Sequence, residues 1–169
     1  MKNTHLEHLE DNILNGGSQG GKEAVAFLRS LGEMLDQGMA DTRVTVKWDG
    51  APAIICGVNP DNGRFFVGTK SVFNKVNPKI SYSENDVDSM YPPGQLAEKL
   101  KDAYKYLSTL SIPNVVQGDL LFTDDKYEAV IGGDTCIAFQ PNTIVYAVPK
   151  DSDIGQKISE AKFGIVFHT

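Results

Sequence analysis

The stretch VTVKWDGAPAIIC, residues 44–56, sets a lysine and an aspartate two positions apart between apolar runs. Lys47 is a candidate nucleophile, because a lysine amine that is desolvated or lies near other cations loses its proton more readily. Asp49 is a candidate to orient it, and Gly50 permits a tight bend. The alternative is a hairpin whose surface ion pair contributes less than about 1 kcal/mol to stability. This stretch alone leaves both interpretations open.

Three other apolar stretches carry a polar or aromatic residue in a similar way. VGTKS contains Lys70, and VVQGDLLF contains Asp119 directly after a glycine. TIVYAVP supplies Tyr146. A glycine inside a strand is typical of a bulge or of close approach to a ligand, and a buried carboxylate needs a partner. Each stretch also has a purely structural explanation, but together they predict a site assembled on several strands of one sheet.

In this order, the motifs resemble those of the covalent nucleotidyltransferases: ATP-dependent DNA ligases, RNA ligases and messenger-RNA capping enzymes. The first motif of that family, K-x-D-G, matches KWDG at residues 47–50. QGDLLF resembles the third motif, with Asp119 in place of glutamate, and TIVYAVP resembles the motif that follows. FGIVFHT resembles the fourth motif, in which Gly164 matches. The resemblance spans residues 43–169.

This resemblance implies a chemistry and a set of roles. Lys47 attacks the α-phosphate of ATP and holds the nucleotide as lysyl-AMP, with Asp49 as the second catalytic residue. Asp119 serves Mg²⁺, and Tyr146 stacks on adenine. The further nucleotide-binding residues that it implies are Trp48, Gly50, Lys70 and Gly164. ATP and Mg²⁺ are the implied cofactors, and nicked or broken DNA or RNA is the implied partner beyond the nucleotide.

Over nearly its whole length the chain is also similar to ligase-like proteins of large tailed bacteriophages. The shared stretches include THLEHLED, FLRSL, KWDGAPA, QGDLLFT, PNTIVYAVP and GIVFHT. These relatives carry no established activity. The similarity implies a protein of the host cytoplasm.

Several positions depart from the ligase pattern. Pro52 stands where most DNA ligases have an arginine, and Phe163 replaces the glutamate of the fourth motif. The fifth motif and the OB-fold are missing, so the sequence predicts a core truncated at the C-terminus. The alternative function is a non-catalytic nucleotide-binding or phage interaction module that retains the ligase fold.

Hydrophobic periodicity predicts an α+β fold of mostly antiparallel sheets with flanking helices, built on a ligase-type nucleotidyltransferase (ATP-grasp-like) core. Residues 1–40 are predicted to be a helical segment that packs on the core, and residues 41–169 to be the core domain. The predicted helices cover residues 5–15, 22–37, 94–107 and 151–161. The predicted strands cover residues 43–48, 51–58, 64–69, 114–122, 136–141, 143–149 and 163–169. Residues 71–93 are predicted to be an irregular connection.

The composition bounds the function. The chain of 169 residues carries a net charge of −6, and its one basic cluster comprises Arg64, Lys70, Lys75 and Lys79. This balance argues against non-specific coating of DNA but leaves room for a local basic groove. No apolar run is long enough to span a membrane, and the two distant cysteines are typical of buried thiols in a reducing cytosol. The oligomeric state is not predicted.

Two patterns look functional but favour a structural interpretation. GGSQGGK, residues 16–22, matches the G-x-x-x-x-G-K pattern of a phosphate-binding loop, but a helix precedes it and Glu23 stands where the loop needs Ser or Thr. We therefore predict a linker between two helices. His5 and His8 have the spacing of metal ligands on a helix, yet no third ligand cluster supports them, so a solvated face is favoured.

Overall fold

The computed structural model describes residues 8–37 and 46–168. The chain divides into two compact units, Met1–Lys47 and Trp48–Thr169. In the described residues, no helix is long and apolar enough to cross a bilayer. His5 lies outside the described residues, and His8 is solvent-exposed but precedes the first helix, which begins at Leu9.

In the first unit the structure describes one long helical segment, α1 (Leu9–Gln37), which is broken at a glycine. Gly17 has φ 54° and ψ −134°, a conformation that glycine adopts without the penalty of a Cβ. Beyond the break, Gly20 lies so close to the backbone of Asn12 that a Cβ would be 1.8 Å from the Asn12 carbonyl oxygen. The predicted break is therefore present as a kink at Gly17, but the predicted linker is wrong in extent, because the other residues of the stretch 16–21 are helical. The glycine-rich stretch joins two helical arms and does not follow a strand, as a phosphate-binding loop would.

The second unit contains two antiparallel sheets. The larger sheet has the strand order β2-β1-β3-β7, and the smaller has the order β4-β5-β6. The strands of the larger sheet are β1 (Ala53–Val58), β2 (Phe65–Gly68), β3 (Val116–Phe122) and β7 (Gly164–Phe167). Those of the smaller sheet are β4 (Tyr127–Ile131), β5 (Asp134–Phe139) and β6 (Tyr146–Pro149).

Helices cover the sheets and connect their strands. Beside a short 3-10 helix (Lys70–Phe73), the second unit contains α2 (Glu84–Met90), α3 (Gln95–Leu107) and α4 (Asp153–Glu160). The buried residues of α3 recur at the spacing of one helix face and pack on the larger sheet around Ile54 and Leu120. A smaller cluster around Ile55 covers part of the opposite face, which explains why β1 is apolar at consecutive positions.

A second core joins the two sheets. Phe122, the last residue of β3, packs with Ile137 and Phe139 of β5 and with Val148 of β6. The rings of Phe122 and Phe139 meet edge to face with centroids 4.9 Å apart. Because a residue of the larger sheet belongs to the core of the smaller one, the two sheets are parts of one compact unit.

The predicted α+β class, with antiparallel sheets and flanking helices, is confirmed. The strand predicted over residues 43–48 is wrong at residues 46–48, which form no strand, while 43–45 lie outside the described residues. The irregular connection predicted over residues 71–93 is wrong where it contains the 3-10 helix and α2. The strand β4 was not predicted.

Candidate functional site

The K-x-D-G stretch lies outside the regular secondary structure. Residues 46–50 belong to no strand or helix, and β1 begins only at Ala53. Lys47 is exposed and is followed directly by half-buried Trp48. The hairpin alternative requires two paired strands on either side of this turn. Residues 46–48 form no strand, so the described residues lack the first strand that such a hairpin needs directly before the turn.

An aromatic cluster holds Trp48. Its ring centroid lies 5.0 Å from that of Tyr146 and 6.0 Å from that of Phe139. Tyr146 and Phe139 are stacked on each other at 5.5 Å, with 27° between their planes. These three rings, which we call the aromatic cluster, belong to the second core. Ring pairs at such separations contribute about 0.5–1.5 kcal/mol beyond the area that they bury, so Trp48 is firmly held.

The backbone of Asp49 is bound at both of its polar groups by one tyrosine. The Asp49 amide donates a hydrogen bond to the Tyr146 hydroxyl at 2.8 Å, and that hydroxyl donates to the Asp49 carbonyl at 3.0 Å. The Asn142 side-chain amide donates to the Asp49 carboxylate at 3.3 Å. Two of the predicted site residues, 97 positions apart, are therefore in direct contact. No sequence pattern indicated a role for Asn142, since asparagine is an ordinary turn residue.

Gly50 lies against the backbone of β3. A Cβ at this position would be 2.2 Å from the Leu120 carbonyl oxygen, so any other residue forces a shift of the backbone. The same carbonyl accepts a hydrogen bond from the Ala51 amide at 3.0 Å, and the Leu120 amide donates to the Pro52 carbonyl at 3.1 Å. The Ala51–Pro52 peptide bond is cis. Close packing thus requires the glycine of K-x-D-G. Because this position has no side chain, Gly50 lies directly beside Leu120, the residue after Asp119.

Asp119 lies on β3, where it pairs with Ala53 of β1 and with Val166 of β7. Its carboxylate Oδ2 is 2.8 Å from the Nε2 atom of His168. Side-chain exposure is 15% for Asp119 and 31% for His168, so the pair is reachable from solvent. Within the described part of the chain, the imidazole of His168 is the polar side chain that contacts the Asp119 carboxylate. His168 is not among the predicted site residues.

The prediction that the site residues lie on strands of one sheet is wrong. Asp119 and Gly164 lie on the larger sheet, whereas Tyr146 lies on β6 of the smaller sheet and Lys70 begins the 3-10 helix after β2. Lys70 follows β2, whose last residue, Gly68, pairs with Ile55, and it is exposed. Gly164 begins β7 and pairs with Phe122, and a Cβ there would be 2.4 Å from the Phe122 ring. Gly164 therefore has a packing role in addition to the nucleotide-binding role predicted for it.

The side chains of the described residues limit how a metal ion can be bound. Across residues 8–37 and 46–168, no group of three or more His, Cys, Asp and Glu residues is arranged to hold one. Mg²⁺ is commonly bound by one or two carboxylates together with substrate phosphates and water. Asp119 fits that mode, with one carboxylate oxygen already bonded to His168. A metal at Asp119 thus depends on oxygen atoms that a nucleotide supplies.

The comparisons with known proteins give a family for the chain. A family model described as "Family of unknown function (DUF6267)" matches residues 3–169. The chain belongs to this family. No curated protein and no solved structure matches it. Membership in the DUF6267 family carries no activity with it, so the function has to be argued from the residues of the site.

Proposed function

We propose that this chain is the core of an ATP-dependent, polynucleotide-ligase-type adenylyltransferase with a ligase-type, ATP-grasp-like fold. One observation carries the proposal: the hydroxyl of Tyr146 binds both backbone groups of Asp49. These two residues come from separate stretches that were each matched to a ligase motif. If K-x-D-G were a chance match in a surface turn, no contact with the TIVYAVP stretch would be expected.

The reaction that we propose is nucleotidyl transfer to a lysine. The neutral Nζ of Lys47 forms a bond with the α-phosphorus of ATP, the bond to the bridging oxygen of the β-phosphate breaks, and pyrophosphate leaves. The amine loses a proton, and the product is lysyl-AMP, a phosphoramidate. Such a transfer depends mostly on positioning and on stabilising phosphate charge. Mg²⁺, when bound with the nucleotide, neutralises part of that charge.

The other predicted residues have distinct roles in this proposal. Asp49, anchored by Tyr146 and Asn142, orients the ribose or the lysine. Lys70 contacts sugar or phosphate, and Asp119 serves the metal. For Tyr146 the predicted stacking on adenine stays a prediction, and its contacts with Trp48 add a positioning role. The nucleotide-binding roles of Trp48, Gly50 and Gly164 likewise stay predictions.

A binding module without transfer is the second candidate, and one observation favours it. Phe163 stands where the ligase pattern has a glutamate that serves the metal. Its side chain packs against the core between α3 and the larger sheet, and its ring centroid lies 5.7 Å from that of Tyr106. A side chain with these contacts contributes to folding and supplies no oxygen to a metal. In this candidate the fold and a nucleotide pocket remain, and Lys47 does not react.

Transfer of label from ATP separates the two candidates. The protein, expressed from its full reading frame, is incubated with α-labelled ATP and Mg²⁺ and analysed by denaturing electrophoresis. We expect a covalent label that mass spectrometry locates on Lys47. Lys47→Arg keeps the charge but removes the nucleophile and abolishes the label. The matched control Lys157→Arg changes an exposed lysine of α4 and leaves the label unchanged.

Two results would overturn the adenylyltransferase proposal. The first is a label that persists in Lys47→Arg. The second is a folded wild-type protein that takes up no label while binding ATP in equilibrium dialysis, which is the outcome expected of a binding module.

A further inference from the structure

The connection after β2 has an unusual charge for this protein. The chain has 22 acidic and 16 basic residues, yet residues 62–83 contain no aspartate or glutamate. We call residues 69–79 the basic loop, because Lys70, Lys75 and Lys79 lie in it. In the part of the chain that the structure describes, none of these lysines has a carboxylate within salt-bridge distance. Their charges are thus available to an anionic partner.

The basic loop also exposes large apolar side chains between its lysines. Phe73 is 70% exposed and Val76 is 78% exposed. Neither belongs to any of the three hydrophobic clusters of the second unit. An aromatic ring held in water beside cations is the arrangement by which proteins stack on bases while binding the phosphates between them.

The loop is held in a defined conformation. Thr69 caps the 3-10 helix by accepting a hydrogen bond from the Ser71 amide, and the Ser71 carbonyl accepts from the amides of Asn74 and Lys79. Val72 is buried with Ile55 and Phe66. Phe73 thus follows a residue fixed in the core, and its position on the surface is set before any partner binds.

Two further contacts limit the motion of the loop. The Ser71 hydroxyl lies 3.1 Å from the Tyr91 hydroxyl. The amine of Lys79 lies 4.7 Å from the centroid of the Tyr91 ring, which holds one cation at the base of the loop. A preformed surface loses little conformational entropy on binding, so even a small contact area can give measurable affinity.

From these observations we infer that the basic loop is a binding surface for single-stranded nucleic acid. Phe73 stacks on an unpaired base, while Lys70 and Lys75 contact the neighbouring phosphates. Three carboxylates lie on α2, which follows the loop: Asp88 pairs with Lys101, Asp86 accepts a hydrogen bond from the Tyr82 amide, and Glu84 is exposed at the start of the helix. They lie after residue 83, so the basic loop itself carries only positive charges. This inference deepens the proposed function, on which it rests for the polynucleotide as partner, and it does not require Lys47 to react.

An anionic membrane is the other partner that cations beside apolar side chains could suit. Interfacial binding normally uses an amphipathic helix or a lipid anchor, which buries far more apolar surface than one phenylalanine and one valine. The 3-10 helix in the loop has only four residues. The small apolar area therefore favours a nucleic-acid strand, and vesicles serve as the competing probe in the test.

Fluorescence anisotropy with labelled oligonucleotides tests the inference without ATP. The probes are a single strand of fifteen thymidylates and an abasic strand with the same number of phosphates. Phe73→Ala should weaken binding of the thymidylate strand by about 5- to 150-fold, the usual range for one stacked base, and leave the abasic strand unaffected. Tyr127→Ala is the matched control, since it removes a 51% exposed ring from β4.

Salt titration tests the lysines separately. Removing two phosphate contacts in Lys70→Ala/Lys75→Ala should reduce the slope of log K against log salt by about 1.4 for a single strand. Lys157→Ala/Lys162→Ala changes the net charge equally at exposed positions of another region and should leave the slope unchanged. These titrations contain no ATP and follow binding alone, so a failure of adenylylation in the label assay and a failure of this inference are distinguishable.

Three outcomes would overturn the inference. One is absence of measurable binding to the thymidylate strand at low salt. Another is binding that is unaffected by Phe73→Ala and by the double lysine variant. The third is flotation with phosphatidylserine-containing vesicles that is lost in Phe73→Ala while oligonucleotide binding is not, which would assign the loop to a membrane.

Discussion

At the residue scale, the hydroxyl of Tyr146 is the smallest group whose removal tests the site. It exchanges hydrogen bonds with both backbone groups of Asp49 at 2.8 and 3.0 Å. Tyr146→Phe retains the ring, so the aromatic cluster keeps its packing while Asp49 loses this partner. We expect the free energy of unfolding to fall by about 1–3 kcal/mol, the usual cost of leaving a partly buried polar group unpaired. Urea denaturation measures it.

Tyr127→Phe is the control for this change. It removes a hydroxyl from an exposed tyrosine of β4 and should alter stability by no more than about 0.5 kcal/mol. Equal stabilities of Tyr146→Phe and wild type would show that the hydroxyl does not hold the K-x-D-G stretch, and the main support for the adenylyltransferase proposal would be lost.

Asp119 allows catalysis and folding to be separated at one position. Asp119→Asn keeps the shape of the side chain and can still bond to His168, so we expect a thermal midpoint close to that of wild type. Loss of the charge should slow adenylylation about 10²-fold or more, as removal of a group aimed at transition-state charge typically does. Calorimetry and the rate of label uptake measure the two effects.

Asp151→Asn, at an exposed position before α4, is the control for the loss of one negative charge. A structural role for Asp119 makes the opposite forecast. The pair is partly exposed, so loss of a charged hydrogen-bond partner that the fold requires costs about 1.5–3 kcal/mol. A large fall in the midpoint of Asp119→Asn, with activity that follows only the folded fraction, would therefore assign Asp119 to the scaffold.

The contact between Asp49 and Tyr146 could be anticipated from the sequence only as a convergence of motifs. Lysine, aspartate and tyrosine in apolar stretches are visible as residue types, and their order suggested one site. The bond between Asp119 and His168 could not be anticipated, because it depends on the register that pairs Asp119 with Val166 across β3 and β7. A register is fixed by packing of the whole sheet.

At the element scale, what could be predicted depended on burial. Strand β1 and helix α3 have strong apolar patterns because their faces are buried, and both were predicted. Helix α2 buries one residue, Val87, so it shows no helical period, although Ser83 caps it by accepting a hydrogen bond from the Asp86 amide. Strand β4 is largely exposed and is held by its pairing with β5. Such elements owe their structure to neighbours.

Helix α4 offers a prediction at this scale. The amine of Lys126 donates hydrogen bonds to the carbonyls of Ile158, Ser159 and Ala161 at the C-terminal end of the helix. These carbonyls lack partners within the helix, and a cation there also interacts favourably with the helix dipole. Burial lowers the pKa of Lys126, which indicates that the amine is partly removed from water.

Lys126→Met keeps the length of the side chain and removes its donors. We expect the free energy of unfolding to fall by about 1.5–3 kcal/mol, because the lost bonds are charge-assisted. Hydrogen exchange should be faster at the amides of α4 than in wild type. Lys157→Met, an exposed position of the same helix, should change neither quantity. Unchanged exchange in Lys126→Met would exclude the capping role.

At the scale of the whole molecule, charge is distributed unevenly. The chain is acidic overall, while residues 62–83 carry cations and no carboxylate. A net negative charge repels a polyanion at a distance, so an oligonucleotide can be bound only where the local charge has the opposite sign. This uneven charge predicts that a nucleic-acid strand contacts the protein along one loop and does not cover its surface. A contact of that size agrees with the small slope of log K against log salt that is expected of the basic loop.

The two cysteines test whether the two sheets of the second unit fold together. Cys56 is buried in the larger sheet, where burial raises the pKa of its thiol to about 11, and Cys136 is buried in the smaller sheet. A protonated, inaccessible thiol reacts slowly, so alkylation requires opening of the surrounding core. Because Phe122 of the larger sheet packs within the core of the smaller sheet, we expect both thiols to become reactive at the same urea concentration.

Brief pulses of N-ethylmaleimide across a urea series, followed by digestion and mass spectrometry, give one curve for each cysteine. Coincident midpoints indicate a single cooperative unit, whereas alkylation of Cys136 at lower urea than Cys56 would show that the smaller sheet, with the Tyr146 that anchors Asp49, opens while the larger sheet remains folded.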